Sequence, residues 1–156
     1  MLNRLIDVFA SLQNHEVRYV VIGGIAAVLH GVPRATFDLD VLIEASEENV
    51  YRLLKALSEA GLATATLISP KEILANEITV FKDRVRIDVQ THTPGLSFQT
   101  AWEHRVTMDF QGQEFYLASR EDLVASKRAT GRKVDLEDVR LLELPDEEDS
   151  TSSPAG

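Results

Sequence analysis

The sequence contains no cysteine, so disulfide bonds and thiolate metal sites are excluded. It has no apolar run near the ~18 residues that a membrane-spanning helix needs, and residues 1–4 lack the basic-then-apolar form of a secretory signal. We therefore expect a cytoplasmic protein without membrane contact. The four histidines share no metal-ligand spacing, which argues against a histidine-based metal site.

Basic residues are scarce, with 16 Lys and Arg against 25 Asp and Glu and a net charge of -9. Five acids follow the last base, Arg140, so residues 1–142 hold 16 basic and 20 acidic side chains. This balance argues against broad, sequence-independent binding of nucleic acids but allows a local basic patch. We predict one domain over residues 1–145 and a disordered acidic tail with Ser and Thr over residues 146–156.

Hydrophobic spacing and breaker residues predict the secondary structure. Helices are predicted over residues 2–14, 25–30, 46–60, 97–105, 119–131 and 135–144, and strands over residues 17–22, 38–43, 78–81, 85–90, 106–110 and 114–117. Residues 62–77 stay unassigned because Pro70 is expected to break any regular element there.

Two acids stand one residue apart in an otherwise apolar predicted strand. Asp38 and Asp40 should leave the same face of that strand, because side chains alternate between its two faces. Two carboxylates about 4 Å apart repel by ~4 kcal/mol at an effective dielectric constant of 20. Mg²⁺, which prefers oxygen ligands, would relieve this repulsion. The alternative is a solvated strand end without a ligand.

A third acid, Asp88, stands in the middle of another strand with apolar neighbours on both sides. A carboxylate in such a position is usually paired or bound to a metal. If its strand lies beside the strand of Asp38 and Asp40, three carboxylates converge where two metals could bridge a triphosphate. Asp88 would then help to deprotonate an acceptor hydroxyl. The alternative is an ion-paired core acid.

The glycine pair Gly23-Gly24 follows the first apolar strand. Without Cβ atoms, its backbone amides can approach phosphate oxygens closely. A Rossmann turn is disfavoured, because Ala26 and Ala27 stand where its Gly-x-Gly-x-x-Gly spacing would need glycines.

These motifs together resemble a known superfamily. Gly23-Gly24, then 13 residues, then Asp38-Leu39-Asp40, with Asp88 in a later apolar strand, is similar to the DNA polymerase β-type nucleotidyltransferases in their minimal single-domain form. Residues 23–27, 34–40, 119–127 and 131–138 further resemble the AbiEii-like toxin nucleotidyltransferases. The resemblance covers roughly residues 17–142.

The resemblance implies an α+β nucleotidyltransferase fold with a mixed sheet flanked by helices. It implies transfer of a nucleoside monophosphate from a nucleoside triphosphate to an acceptor hydroxyl, with release of pyrophosphate. Asp38 and Asp40 would hold both metals, Mg²⁺ or alternatively Mn²⁺, Asp88 would hold one, and Gly23 and Gly24 would contact the phosphates. The acceptor could be a tRNA end, a protein or a small molecule, and a cognate antitoxin or other protein is the expected partner.

The sequence departs from the superfamily at one position, since many catalytic members place Ser where Gly24 stands. Phosphate contacts would then come from backbone amides, Arg34, Thr36 and Lys127. Arg34 could instead pair with a site acid, and Lys127 could belong to a solvated helix face. The departure keeps open a non-catalytic, nucleotide-binding or protein-interaction partner of the same fold. A tRNA-directed enzyme would need a basic face, for which the candidates are Arg84, Arg86, Arg105, Arg128 and Arg132.

Overall fold

A computed structural model describes residues 2–144 of the chain. Its helices are α1 (Ile6–Asn14), α2 (Gly23–Leu29), α3 (Glu47–Glu59), α4 (Pro70–Leu74), α5 (Phe98–His104), α6 (Arg120–Thr130) and α7 (Lys133–Leu142), with 3₁₀ turns at Leu2–Leu5 and Ala63–Leu67. Its strands are β1 (Tyr19–Ile22), β2 (Leu39–Ile43), β3 (Ile78–Lys82), β4 (Arg86–Gln90), β5 (Val106–Phe110) and β6 (Gln113–Leu117). None of these helices is long and apolar enough to cross a membrane. The tail predicted over residues 146–156 lies outside the described residues.

The described strands form one sheet in the order β3-β4-β2-β1-β6-β5. The β2–β4 and β1–β6 pairs are parallel, and the remaining three pairs are antiparallel. The sheet is therefore mixed, and the predicted α+β class is confirmed. Both predicted hairpins, β3–β4 and β5–β6, are present.

Apolar side chains cover both faces of the central strands. In β1, Tyr19 and Val21 belong to the larger hydrophobic core with α1 and α3, whereas Val20 and Ile22 belong to a smaller core beside α5. All four side chains are buried. This arrangement explains the continuous apolar run of β1, because a strand covered on both faces needs apolar residues at every position.

Serine residues define the starts of four helices. Their hydroxyl groups accept hydrogen bonds from backbone amides three residues further on, at Ser46, Ser69, Ser97 and Ser119. At the other end of α6, Gly131 adopts a left-handed conformation with φ 66°. The helix starts predicted near Ser46, Ser97 and Ser119 are thus confirmed.

The expectation that Pro70 breaks regular structure is wrong. Pro70 is the first residue of α4, and Ser69 caps that helix by accepting a hydrogen bond from the Glu72 amide. Proline suits this position because the first amide of a helix has no intrahelical partner and the fixed φ of proline is already helical.

The glycine pair lies inside α2 rather than before it. The helix begins at Gly23, two residues earlier than predicted, and directly follows the extended residue Ile22. Strand β2 begins at Leu39, so Asp38 lies just outside it. The backbone at the start of α2 and the carboxylates of Asp38 and Asp40 therefore lie at adjoining ends of β1 and β2.

Candidate functional site

The register of two neighbouring strands places Asp40 beside Asp88. Strands β2 and β4 are parallel, and Asp40 is the Cα partner of Asp88. Side chains of paired residues leave the same face of a sheet, so these two carboxylates share one face. Asp38 lies two residues before Asp40, just outside the start of the same strand. The structure therefore places Asp88 and Asp38 near enough to Asp40 for their charges to act on it.

The environment of Asp40 disfavours its charged form. Burial is the main cause, and the negative charges of Asp88 and then Asp38 add to it, raising the pKa of Asp40 from 3.8 to about 7. The positive charges of Lys127 and Arg86 oppose this rise. Asp40 is thus a carboxylate whose charge the surrounding protein neutralises only in part, which is the electrostatic setting of a cation site.

Arg86 is the internal counter-ion of the other two acids. It stands two residues before Asp88 on β4, and its Nε and Nη2 atoms donate to the Asp88 carboxylate at 2.9 and 3.3 Å. Its Nε atom also lies 3.7 Å from Oδ2 of Asp38. Within residues 2–144, no three Asp, Glu, His or Cys side chains converge as a formed metal centre. From the sequence, Arg86 was predicted only as part of a basic face, although its same-face spacing from Asp88 could have indicated the pair.

Gly23 is required by a close approach to the carboxylates. Its φ of 73° is left-handed, and a Cβ atom there would lie 2.3 Å from Oδ2 of Asp40. A side chain would therefore be strained and would collide with Asp40. The glycine keeps the start of α2 against the acidic cluster.

Side chains of the loop that follows α2 fill the space beside the second glycine, Gly24. A Cβ atom on Gly24 would lie 2.9 Å from Oγ1 of Thr36 and 3.1 Å from Nη2 of Arg34. A hydroxyl and a guanidinium group thus stand beside the position where many superfamily members carry a serine. The predicted set of Gly24, Arg34 and Thr36 is one contiguous cluster.

Behind this loop lies a polar group of four residues, which we call the Lys127 cluster. It consists of the buried residues Lys127, Asp135 and Asp138 and the half-buried Arg34. Asp138, 1% exposed, accepts hydrogen bonds from Arg34 Nε at 3.0 Å and Nη2 at 2.8 Å, and from Lys127 Nζ at 2.8 Å. Lys127 also donates to Asp135 at 3.2 Å. Arg34 therefore pairs with Asp138 rather than with a predicted site acid, and Lys127 is buried rather than on a solvated face.

Asp135 also pairs with Arg132, with 2.8 Å between Arg132 Nε and Asp135 Oδ2. The link from Asp138 to Lys127 and Arg34 was missed. Hydrogen bonds from its two basic partners outweigh the effect of burial, so the pKa of Asp138 lies below its usual value. In the sequence, the only indication that Asp138 contacts Lys127 and Arg34 was its position on the apolar side of α7.

A cavity of about 230 Å³ connects Asp40 and Gly23 with Lys127. Its wall includes Gly23, Asp40, Ser126, Lys127 and Arg132. The cavity thus reaches from Asp40 past the first glycine to α6, where Lys127, Arg132 and their common ion-pair partner Asp135 line it.

Comparisons with known proteins identify the family of this chain. Residues 2–150 match the family described as nucleotidyltransferase of unknown function (DUF6036). The chain belongs to this family. The predicted membership in the nucleotidyltransferase superfamily is therefore confirmed. A comparison with curated proteins gives no match.

Two solved structures show the same fold as this DUF6036 chain. One is a candidate nucleotidyltransferase from Thermotoga maritima, with a TM-score of 0.57, 18% identity and 90% of each chain covered. The other is an antigenic nucleotidyltransferase-like protein from Paracoccidioides brasiliensis, with a TM-score of 0.57 and 18% identity, covering 90% of this chain and 74% of that one. At this identity the likeness supports the fold.

The raised pKa of Asp40 predicts how the stability of this DUF6036 protein depends on pH. Folding raises that pKa from 3.8 to about 7, so the folded state binds the proton more tightly than the unfolded state. The resulting stabilisation is complete below pH ~3.8 and is lost as the pH rises through 7. Without metal, lowering the pH from 8 to 6 should raise the free energy of unfolding by about 1.4 kcal/mol.

Urea denaturation at the two pH values, with a chelator present, measures this change. The matched control is Asp40→Asn, which removes the titrating group, so the difference between wild type and variant isolates Asp40. An equal pH dependence in both proteins would contradict the assigned environment of Asp40.

Proposed function

We propose that this protein transfers a nucleoside monophosphate from a nucleoside triphosphate to an acceptor hydroxyl and releases pyrophosphate. The observation that carries the proposal is the pairing of Asp40 with Asp88 beside a cavity that reaches Gly23 and Lys127. Family membership supports the reaction class. In the reaction, the acceptor oxygen bonds to the α-phosphorus, the bond from this phosphorus to the bridging oxygen breaks, and pyrophosphate leaves.

The donor set fits Mg²⁺, with Mn²⁺ as the alternative. Asp38, Asp40 and Asp88 supply only carboxylate oxygens, which are the ligands that these hard cations prefer. When bound, the metal would neutralise phosphate charge and lower the pKa of the acceptor hydroxyl. The raised pKa of Asp40 supports this assignment, because burial and then the negative charges of Asp88 and Asp38 disfavour its charged form, which a further cation would stabilise. Arg86 would have to give up part of its contact with Asp38 and Asp88.

The protein's own groups would position the triphosphate. We assign phosphate contacts to the amides of Gly23 and Gly24, the Thr36 hydroxyl and the Arg34 guanidinium. Thr36 would replace the serine hydroxyl of other members, because its Oγ1 atom lies where a side chain at position 24 would point. Lys127 lines the cavity while Asp135 and Asp138 hold it in place.

Asp88 is the proposed acceptor of the hydroxyl proton. It lies at the centre of β4, and its side chain is 17% exposed. The carboxylate is therefore accessible from solvent but rigidly placed by the strand, as a proton acceptor needs to be.

The finer assignment follows the sequence resemblance. We propose an AbiEii-like toxin nucleotidyltransferase of the bacterial cytoplasm that uses a nucleoside triphosphate such as ATP and has a cognate antitoxin. Its single domain would span residues 1–145, followed by a disordered tail over 146–156. A tRNA end, a protein and a small molecule are the acceptor classes compatible with the carboxylate site.

A second candidate is a non-catalytic, nucleotide-binding or protein-interaction partner with the same fold. The specific observation in its favour is the two-point contact between Arg86 and Asp88. This contact occupies the carboxylate that the reaction requires. A protein that kept the contact permanently would bind nucleotide without turnover.

Calorimetric titration with each nucleoside triphosphate and Mg²⁺, together with a pyrophosphate-release assay across acceptors, tests the proposal. We expect saturable, Mg²⁺-dependent binding followed by pyrophosphate release. Thr36→Val should weaken nucleotide binding by about 10-fold or more, because a hydrogen bond to a charged group contributes about 1.5–3 kcal/mol.

Thr107→Val is the matched control, since Thr107 is exposed on β5 at the far edge of the sheet. Binding without pyrophosphate release on any acceptor would favour the non-catalytic candidate. If no nucleoside triphosphate bound in the presence of Mg²⁺, the proposed function would be wrong.

A further inference from the structure

The cavity beside Asp40 carries polar side chains that the proposed metal and phosphate contacts do not use. Its wall includes Gln90, Thr93 and Ser126. In the described part of the chain, none of these three side chains has a hydrogen-bond partner. Thr93 and Ser126 are each only 6% exposed. Polar side chains that are almost fully buried usually have a partner, so three unpaired ones around one cavity indicate a ligand.

The polar atoms of these three residues are open to the cavity rather than sealed in the core. Among the described residues that are not exposed, the only side-chain N or O atom both sealed from solvent and unpaired is Oγ1 of Thr64. The hydroxyl groups of Thr93 and Ser126 and the amide of Gln90 are therefore accessible. The cavity is the open space that all three residues line.

Gln90 stands on the same strand as Asp88, two residues further on. Both side chains leave the same face of β4, because side chains alternate between the faces of a strand. The Cα partners of Gln90 are Leu42 on β2 and Ile78 on β3. The backbone of Gln90 therefore lies about 7 Å along the sheet from the pair of Asp40 and Asp88.

Apolar side chains flank the Gln90 amide. Ile78 is 52% exposed although it is a large aliphatic residue, and it lines the cavity together with Pro94 and Leu123. Proteins that recognise nucleobases hold them against apolar or aromatic side chains and read their edges by hydrogen bonds. This end of the cavity offers both kinds of contact.

The turn that carries Thr93 and Pro94 is fixed against α6. An isolated β-bridge closes the turn, and Gly95 within it has a φ of 72°. A Cβ atom on Gly95 would lie 2.8 Å from the carbonyl oxygen of Ala125 and 2.6 Å from Cβ of Ala129. This close packing holds the wall of the cavity in place before a ligand binds, which lowers the cost of binding.

The amide of Gln90 matches adenine. A carboxamide offers a donor beside an acceptor, and adenine offers the complementary amino donor at N6 beside the acceptor N7. The corresponding edge of guanine has two acceptors, O6 and N7, and is read by Arg or Lys. Lys127 and Arg132 are the cations among the described lining residues, and both pair with Asp135. Gln90 is therefore the group best placed to read a base.

We propose that Gln90 selects adenine as the base of the nucleoside triphosphate, an inference that rests on the proposed function. The Gln90 amide bonds to N6 and N7 of the base, and Ile78 contacts a face of the ring. The hydroxyl groups of Thr93 and Ser126 bond to the ribose. The triphosphate extends from there toward the carboxylates. Gln90 thus determines specificity and takes no part in the transfer step.

Calorimetric titration with ATP, GTP, CTP and UTP in the presence of Mg²⁺ tests this proposal. ATP should bind to the wild-type protein about 5-fold to 100-fold more tightly than GTP, because guanine cannot make the two-point contact. Gln90→Glu removes the donor that faces N7 of adenine and leaves acceptors, which suit the N1–H and N2–H donors of guanine. The ratio of ATP affinity to GTP affinity should therefore fall by at least about 10-fold.

Gln111→Glu is the matched control, since Gln111 is exposed in the turn between β5 and β6, outside the cavity. It should leave the ratio unchanged. Ser126→Ala should weaken the binding of all four triphosphates equally, by about 2-fold to 10-fold, because the ribose is common to them. A loss confined to one base would contradict the ribose contact. Melting temperatures verify that the variants fold.

Three outcomes would overturn the assignment of Gln90. The wild-type protein could bind the four triphosphates with equal affinity, it could prefer a base other than adenine, or Gln90→Glu and Gln111→Glu could show the same ratio of ATP affinity to GTP affinity. Each of these outcomes leaves Mg²⁺-dependent triphosphate binding, and with it the proposed function, intact. If none of the four triphosphates bound, both the assignment of Gln90 and the proposed function would be wrong.

Discussion

The Asp40→Asn variant is expected to lose metal-dependent nucleotidyl transfer by at least about 10²–10³-fold while keeping its fold. An amide cannot supply the negative charge with which Asp40 would hold a cation. Asn has nearly the shape of Asp, so the contact between position 40 and Gly23 is preserved. Asp40→Ala should lose transfer in the same way.

The free energy of unfolding of Asp40→Asn should not fall together with its activity. Burial and two neighbouring acids disfavour the charged form of Asp40, so removing its charge at pH 8 should leave the free energy of unfolding equal or higher. A fall in activity accompanied by unfolding would indicate a structural role instead. Urea denaturation and pyrophosphate release on the same preparation separate these outcomes.

Glu114→Gln provides the matched control for the loss of a carboxylate. Glu114 is exposed on β6, and its strand neighbour Asp109 belongs to the edge strand β5, away from the acidic cluster. This variant should keep wild-type turnover. If Asp40→Asn also kept wild-type turnover on an identified acceptor, the proposed mechanism would be wrong.

The second large effect is expected for Asp138→Asn, which should lower the free energy of unfolding by about 3–5 kcal/mol. Asp138 is the shared partner of Arg34 and Lys127, and the Lys127 residue is only 4% exposed. Removing one partner leaves a buried charge without full compensation. Urea denaturation at neutral pH measures the loss.

The neighbouring residue on α7 offers a matched control. Glu137 pairs with Arg140 at the protein surface, where solvent screens the interaction. Glu137→Gln should therefore leave the free energy of unfolding nearly unchanged. If both variants had equally small effects, the Lys127 cluster would not stabilise the fold as assigned.

Because Lys127 lines the nucleotide cavity, partially folded Asp138→Asn protein should also bind nucleotide more weakly.

Much of the fold followed from local sequence patterns. The apolar run of β1, the two hairpins and the helix starts near Ser46, Ser97 and Ser119 depend on residues close together in the chain, so spacing and capping predict them. The prediction for Pro70 was wrong because proline disrupts the interior of a helix but is favoured in the first turn. The capping serine one residue earlier was the signal that could have decided between the two.

Part of the candidate site was also predictable from the sequence. Carboxylates in apolar strands are unusual enough to single out Asp38, Asp40 and Asp88, and the glycine pair supported a phosphate-binding role. The prediction that these three carboxylates lie close together depended on the pairing of their two strands. The observed register of Asp40 with Asp88 meets that condition. Their roles as metal ligands and proton acceptor remain proposals.

The sequence by itself determined the residue types, their spacing and the family pattern, because alternation along a strand and periodicity along a helix act over a few residues. Only the tertiary structure decided which distant groups meet. Asp138 pairs with Arg34 across 104 residues of chain, and Arg4 and Arg84 meet across 80. Such contacts depend on how the strands and helices pack, and no local pattern encodes that packing. For this reason the Lys127 cluster could be recognised only in the folded structure.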